Sequence, residues 1–260
     1  MAKKEKYIKI KKLLQSGNKI SLLALLCLLV VAVFFQPAFC QGNDTMKGMD
    51  MSEEEMDMVH PFFTHMGLPD PVGHYALRLS GVAAREEEHT LGDFGFHLEA
   101  GLLDRVGIHI RNDRVLNNDH TEFMLQYAAI RSQDGMSGFS PFAEVEIPTH
   151  KGERHTYGLV GFSTMWSTRI LELNQSLEYS PEEEALEGSV SLVGKVGKRL
   201  FPVVEFILAA TNGEKPQNSM IAGLKYRINK YVVIGVGYQI PVTESKEFTH
   251  QMLFQTDLEW

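Results

Sequence analysis

From His74 to the final residue, apolar and polar side chains alternate in segments of about ten, set apart by turn-forming or charged clusters. Such a period of two describes strands with one apolar and one polar face. In the last segment Met252, Phe254, Thr256, Leu258 and Trp260 share one face, and Gln251, Gln255, Asp257 and Glu259 share the other. Val232, Ile234, Val236, Tyr238 and Ile240 oppose Gly235, Gly237 and Gln239, and Met220, Ala222, Leu224, Tyr226 and Ile228 oppose Gly223, Lys225 and Arg227. Working backwards, further strands begin near Phe201, Leu186, Arg169, His155, Ser137, Thr121, Arg105, Leu91 and His74, with the register ambiguous near Gly158 and Phe201. The pattern predicts an all-β fold, a closed antiparallel transmembrane β-barrel of about 12 strands.

The connections sort by length. Leu103-Asp104-Arg105, Gly197-Lys198-Arg199 and Asn229-Lys230 read as tight turns; Asn112 to His120, Pro181 to Ala185, Asn212 to Asn218 and Thr243 to Glu247 are longer and polar. Short turns face the periplasm in bacterial barrels, which places both termini there and calls for an even strand number; Arg131 to Gly138 is long for such a turn. A soluble β-sandwich also alternates. The export signal, the C-terminal aromatic and the loop pattern favour the membrane barrel. At about eight strands side chains fill a barrel, and wide channels need about sixteen, so the lumen predicted here is narrow.

The chain opens with Lys3, Lys4, Lys6, Lys9, Lys11, Lys12 and Lys19, then runs apolar from Leu22 to Phe35 and breaks at Gln36-Pro37. That is a signal peptide, expected over 1–40, since the run is shorter than the roughly 20 residues of a spanning helix. Ala38-Phe39-Cys40 fits a small-x-small cleavage site, and Pro37 and Phe39 disfavour lipidation of Cys40. Both cysteines, Cys27 and Cys40, lie in this leader, so the mature chain has no disulfide. Processing removes seven lysines and Glu5, leaving 18 basic residues against 32 acidic, a net charge near −14. That balance excludes nucleic acid as a partner and favours cations. The partners expected are outer-membrane lipids and the barrel assembly machinery, with Phe254, Leu258 and Trp260 as the assembly signal.

Parity assigns Asp93, His97, Glu99, His109, Arg111, Glu122, Met124, Gln126, Glu144 and Glu146 to the lumen, with Glu172, Glu178, Glu205, Lys225 and Arg227 on the far wall. One reading is a charge network that plugs or stiffens the lumen, because charges in a narrow barrel must pair. The other is a polar path or a cation site. A lipid hydrolase needs a Ser-His pair on the lipid side. That parity is nearly free of both, His250 excepted, so no catalytic residue is expected. A purely structural outer-membrane protein is the remaining alternative.

Ahead of the barrel, 41–73 is an acidic extension rich in methionine and histidine: Met46, Met49, Met51, Met56, Met58, His60, His65 and Met66. Thioethers select cuprous or silver ions, and imidazole adds cupric copper. No cofactor is required by this reading; copper or silver ions are the candidates, with a periplasmic metal-handling partner. The opposing reading is a disordered acidic linker. The stretch His60-Pro61-Phe62-Phe63-Thr64-His65-Met66-Gly67-Leu68-Pro69, with its aromatics and prolines, reads as an ordered piece that caps or enters the periplasmic mouth.

Several segments resemble a family of outer-membrane barrels described as phenol-degradation MetA-pathway proteins or as transporters. The likeness rests on Phe96-His97-Leu98-Glu99-Ala100-Gly101-Leu102-Leu103-Asp104-Arg105-Val106-Gly107 and on Phe142-Ala143-Glu144-Val145-Glu146-Ile147-Pro148-Thr149. It extends to Ala222-Gly223-Leu224-Lys225-Tyr226-Arg227 and Val236-Gly237-Tyr238-Gln239-Ile240-Pro241-Val242-Thr243, and covers most of the chain from His74 to Trp260. The resemblance implies a porin-like barrel that transports small organic compounds. The methionine and histidine segment is similar to proteins of periplasmic copper or silver handling.

Overall fold

Apolar side chains of one parity point outward along almost every strand, and the strands pair in sequence order until the sheet closes on itself. The computed structural model describes residues 59–86, 89–116, 120–149, 155–244 and 248–260. Its strands are β1 (Tyr75–Glu86), β2 (His89–Leu103), β3 (Val106–Asn112), β4 (His120–Tyr127), β5 (Ile130–Arg131), β6 (Ser137–Pro148) and β7 (Tyr157–Ser167). They continue with β8 (Leu171–Ser180), β9 (Ala185–Gly194), β10 (Leu200–Thr211), β11 (Gln217–Asn229), β12 (Val232–Pro241) and β13 (His250–Glu259).

All pairings are antiparallel between neighbours, β1 pairs with β13, and β4 pairs with β6. The two-residue β5 lies in line with β4 along β6, where Ile130 faces Phe139, so the two pieces make one interrupted stave. The result is a closed 12-strand antiparallel barrel. Closure leaves no unpaired edge, which a sheet in lipid requires. At the seam Tyr75 and Trp260 exchange backbone hydrogen bonds of 2.9 and 3.0 Å.

The outward faces carry Phe123, Leu125, Val145, Ile147, Val204, Leu224, Ile234, Val236 and Phe254, all exposed. Tyr75, Tyr127, Trp166, Tyr226, Tyr231 and Trp260 are exposed near the rim that holds the chain terminus, forming the aromatic girdle of a membrane barrel. On that rim β11 and β12 are joined by Lys230 and Tyr231 alone. Lengths alternate less cleanly than the sequence reading has it, because Glu86 pairs with His89 and closes a tight hairpin on the opposite rim. There, too, Ser180 pairs with Ala185 across a short turn with Glu184 at φ 52°.

Candidate functional site

The chain does not leave the barrel where β1 begins. At the terminal rim Gly73 adopts φ 82° and its N–H bonds the Gly101 carbonyl at 3.0 Å. The residues before it turn back inside: Val59, His60, Pro61, Phe62, Thr64, His65, Met66, Gly67, Leu68 and Pro69 are all buried. This re-entrant segment belongs to the same compact unit as the barrel.

Irregular backbone inside a barrel must find partners for its polar groups. Pro61, Pro69 and Pro71 have no N–H to satisfy. Glu205 of β10 takes the amides of the tip: Oε1 accepts from Phe62 N–H, and Oε2 accepts from Phe63 N–H and Thr64 N–H at 3.0 Å each. Asn174 Oδ1 accepts from Gly67 N–H at 3.3 Å. The carbonyls are met as well. Lys225 Nζ donates to Pro61 O at 3.2 Å, Gln126 Nε2 to Met66 O at 2.9 Å and Ser140 Oγ to Gly67 O at 2.9 Å. Lumen side chains on five strands thus bond seven backbone groups of one short segment.

The apolar contacts flank this polar seam. Val59 and Phe62 pack on Val193, Phe201, Val203, Ile221, Val233 and Leu253, and Met66 and Leu68 pack on Ala128 and Met165. The Phe62 ring lies where three inward glycines leave room: a Cβ at Gly237 would come within 3.2 Å of it, one at Gly235 within 3.3 Å, and one at Gly223 would run into it. Lys225 Nζ stands 5.0 Å from the ring centroid and bonds Asp257 at 2.9 Å.

A second cluster surrounds Glu99 of β2. Its carboxylate pairs with Arg78 and lies 3.3 Å from His60 Nε2, 3.3 Å from His97 Nε2 and 3.7 Å from His109 Nδ1. His97 and His109 bond each other at 3.1 Å, and His109 reaches Gln126 at 3.0 Å. Burial, with Arg78 beside it, pushes the His60 imidazole down to about 4, so it is neutral in place. Burial and Arg111 push His65 below its ordinary value too, while burial and Glu99 raise the Asp70 carboxyl.

The candidate residues therefore divide. His97, Glu99 and His109 stand together, joined by His60. Arg111 pairs with Asp113 and lies 3.6 Å from Glu122, and Glu122, Glu144 and Glu146 bring carboxylate oxygens within 4.8 Å of one another. Asp93 stands apart, accepting from Leu116 N–H at 2.9 Å in the loop after β3. Met66 is packed in the apolar cluster with Leu68, Ala128 and Met165, and Met46, Met49, Met51, Met56 and Met58 lie outside the described residues. Phe254 and Trp260 face outward, with Leu258 half-buried on the same side. The docking residues Glu205, Gln126, Asn174, Ser140 and the inward glycines form no sequence motif. Glu205, alone among Phe201-Pro202-Val203-Val204 and Phe206-Ile207-Leu208, is the one that stands out.

No protein-family model and no curated protein matches the sequence. Solved structures do. The NanC porin is similar at TM-score 0.52 and 10% identity, over 71% of this chain and 98% of that one. An outer-membrane channel from Pseudomonas putida F1 is similar at TM-score 0.52 and 8% identity, over 78% of this chain and all of that one, 100%. The KdgM porin is similar at TM-score 0.50 and 9% identity, over 71% and 98%. The likeness covers the barrel and shows the fold, that of outer-membrane porins and channels.

Proposed function

We propose that this chain is a non-enzymatic outer-membrane channel for small solutes, closed at rest by its own segment 59–70, with both termini in the periplasm. The observation that carries the reading is the grip of Glu205 on three successive amides of that segment, deep in the lumen of a porin fold. A carboxylate held by several N–H groups is a strong, directional anchor, yet it is a single point that can let go. With the segment released, a 12-strand barrel has a lumen wider than the filled eight-strand case. The wall beside the segment gathers Glu122, Glu144 and Glu146, with Arg111 3.6 Å from Glu122, and so offers polar partners to a small solute once the segment is out of the way.

The soft-ion reading is the finer part of the proposal. Residues 41–58, with Met46, Met49, Met51, Met56 and Met58, supply thioether donors for cuprous or silver ions, and the docked segment withholds Met66. Proteoliposome swelling with sugars of graded size tests the channel. Slow swelling for the wild type and fast, size-limited swelling for Glu205→Ala support it. Tight liposomes for both proteins would leave a structural outer-membrane protein.

A further inference from the structure

Three side chains meet where the segment faces β6 and β8: His65, Glu144 and Glu178. One donor atom from each lies within 4.8 Å of the other two. His65 is 6% exposed and Glu144 4%. Each of the three holds a fully buried atom with no hydrogen-bond partner: Nδ1 of His65, Oε2 of Glu144 and Oε2 of Glu178. The imidazole turns toward the carboxylates, with Nε2 at 3.8 Å from Glu178 Oε2. Buried polar atoms are nearly always satisfied, and the backbone of this segment is matched by lumen side chains one group at a time. Two orphaned carboxylate oxygens beside the imidazole, with its Nε2 3.8 Å from one of them, mark a missing partner.

Charge identifies that partner. Two buried carboxylates face each other here, and Glu144 also meets Glu122 and Glu146. The nearby cation, Arg111, is already engaged by Asp113 and Glu122. Two acidic side chains buried together in a low-dielectric site share either a proton or a cation, and of the two the cation also gives the imidazole a partner. We propose that His65, Glu144 and Glu178 bind one divalent first-row transition cation of the zinc type, which ties the segment to the wall. An imidazole nitrogen with two carboxylates suits a borderline ion, whereas calcium and magnesium take oxygen ligands and a soft monovalent ion prefers sulfur donors. Zinc ligands at about 2.0–2.2 Å stand about 3.3 Å apart in a tetrahedron, so side-chain rotation closes the gap from the observed separations. Because one ligand is on the segment and two are on the wall, the ion binds only the docked state and stabilises closure by mass action.

The inference takes from the proposed function only that 59–70 is the closing element. Its test is cobalt titration of the full mature protein in detergent, read by d–d absorption, with zinc competition. Wild type should take up one cobalt that zinc displaces. His65→Ala and the double variant Glu144→Gln, Glu178→Gln should each weaken binding at least about 100-fold, by loss of ligands. Both must show heat-modifiable migration, which establishes a folded barrel. The variant with Met46, Met49, Met51, Met56, Met58 and Met66 changed to Leu should keep the cobalt band, separating this site from a soft-ion site in the extension. A wild type without a d–d band, or folded His65→Ala and double variants that bind as wild type does, overturns the site. Cobalt binding that leaves the bilayer current unchanged overturns its part in closure. A wild type and Glu205 variants that never conduct count against the channel alone, since the cobalt titration does not depend on conduction.

Discussion

Thr64 gives Glu205 two hydrogen bonds, from its amide N–H and from its hydroxyl, each at 3.0 Å to the same carboxylate oxygen. With Phe62 and Phe63 completing the set, one wall residue holds the turn of a segment more than a hundred residues away in sequence. Thr64→Val removes only the hydroxyl bond and keeps the shape. It should weaken docking by about 1.5–3 kcal/mol, the scale of one hydrogen bond to a charged group. Limited proteolysis checks this, with cleavage between 59 and 70 expected to rise at least about tenfold; an unchanged rate would remove the hydroxyl from the account.

Room for Phe62 is set by the glycines beneath it. Gly237→Val crowds the ring, since a Cβ there meets side-chain atoms of Phe62 and Ile221 first, and a strand favours β-branched residues. The barrel should assemble with normal heat-modifiable migration, and the segment should become protease-sensitive. A barrel that fails to assemble would show that Gly237 serves the strand and not the segment.

Docking should depend on pH through groups of opposite sign. His60 titrates near 4 when docked and near 6.5 when free, so the free form binds the extra proton between those values. Docking is strongest above pH 6.5, weakens as pH falls toward 4, and loses about 3 kcal/mol from this group. Arg78, Lys225, Glu99, Glu259 and Asp257 face His60 from the wall, and Asp70 lies on the same segment. The raised carboxyl of Asp70 acts the other way, since the docked form holds its proton. In an Asp70→Asn background with chelator present, protease sensitivity should climb between pH 6.5 and 4, and His60→Asn should flatten the climb. Equal slopes with and without His60 would contradict the assignment.

The seam joins the first strand to the last. Trp260 stacks on Tyr75 at 6.2 Å between centroids, on the outward face, while their backbones close the barrel. Trp260→Asp puts a charge in the girdle and should lower outer-membrane levels several-fold, with Trp260→Phe close to wild type. Normal membrane levels of the Asp variant would remove Trp260 from the assembly signal.

The strands were legible because lipid leaves only apolar residues outside and the lumen keeps polar ones, as along Val232, Ile234, Val236 and Tyr238 against Gln239. The pattern fades near Phe201 for a physical reason. Phe201 and Val203 face inward onto Val59 and Phe62, so both faces of β10 are apolar there. Met165 in β7 does the same beneath Met66 and Leu68. The segment itself has no period to read, and only its prolines and aromatics set it apart from a linker. Its contacts are long-range pairs between isolated polar residues, such as Glu205 with Thr64 and Asn174 with Gly67, which no local spacing reveals.

In the proposed function segment 59–70 closes the barrel and Glu205 holds it there. Single-channel current across planar bilayers, comparing the mature wild type with Glu205→Gln, tests it most directly. Glutamine keeps the size of the side chain but removes the charge and one of the two acceptor oxygens, leaving buried N–H groups unsatisfied at a cost of a few kcal/mol. Since about 1.4 kcal/mol is tenfold in an equilibrium, the open fraction should rise by about 100-fold, with brief rare openings in the wild type becoming long ones of the same unit conductance. Equal open fractions for the two proteins would contradict the account.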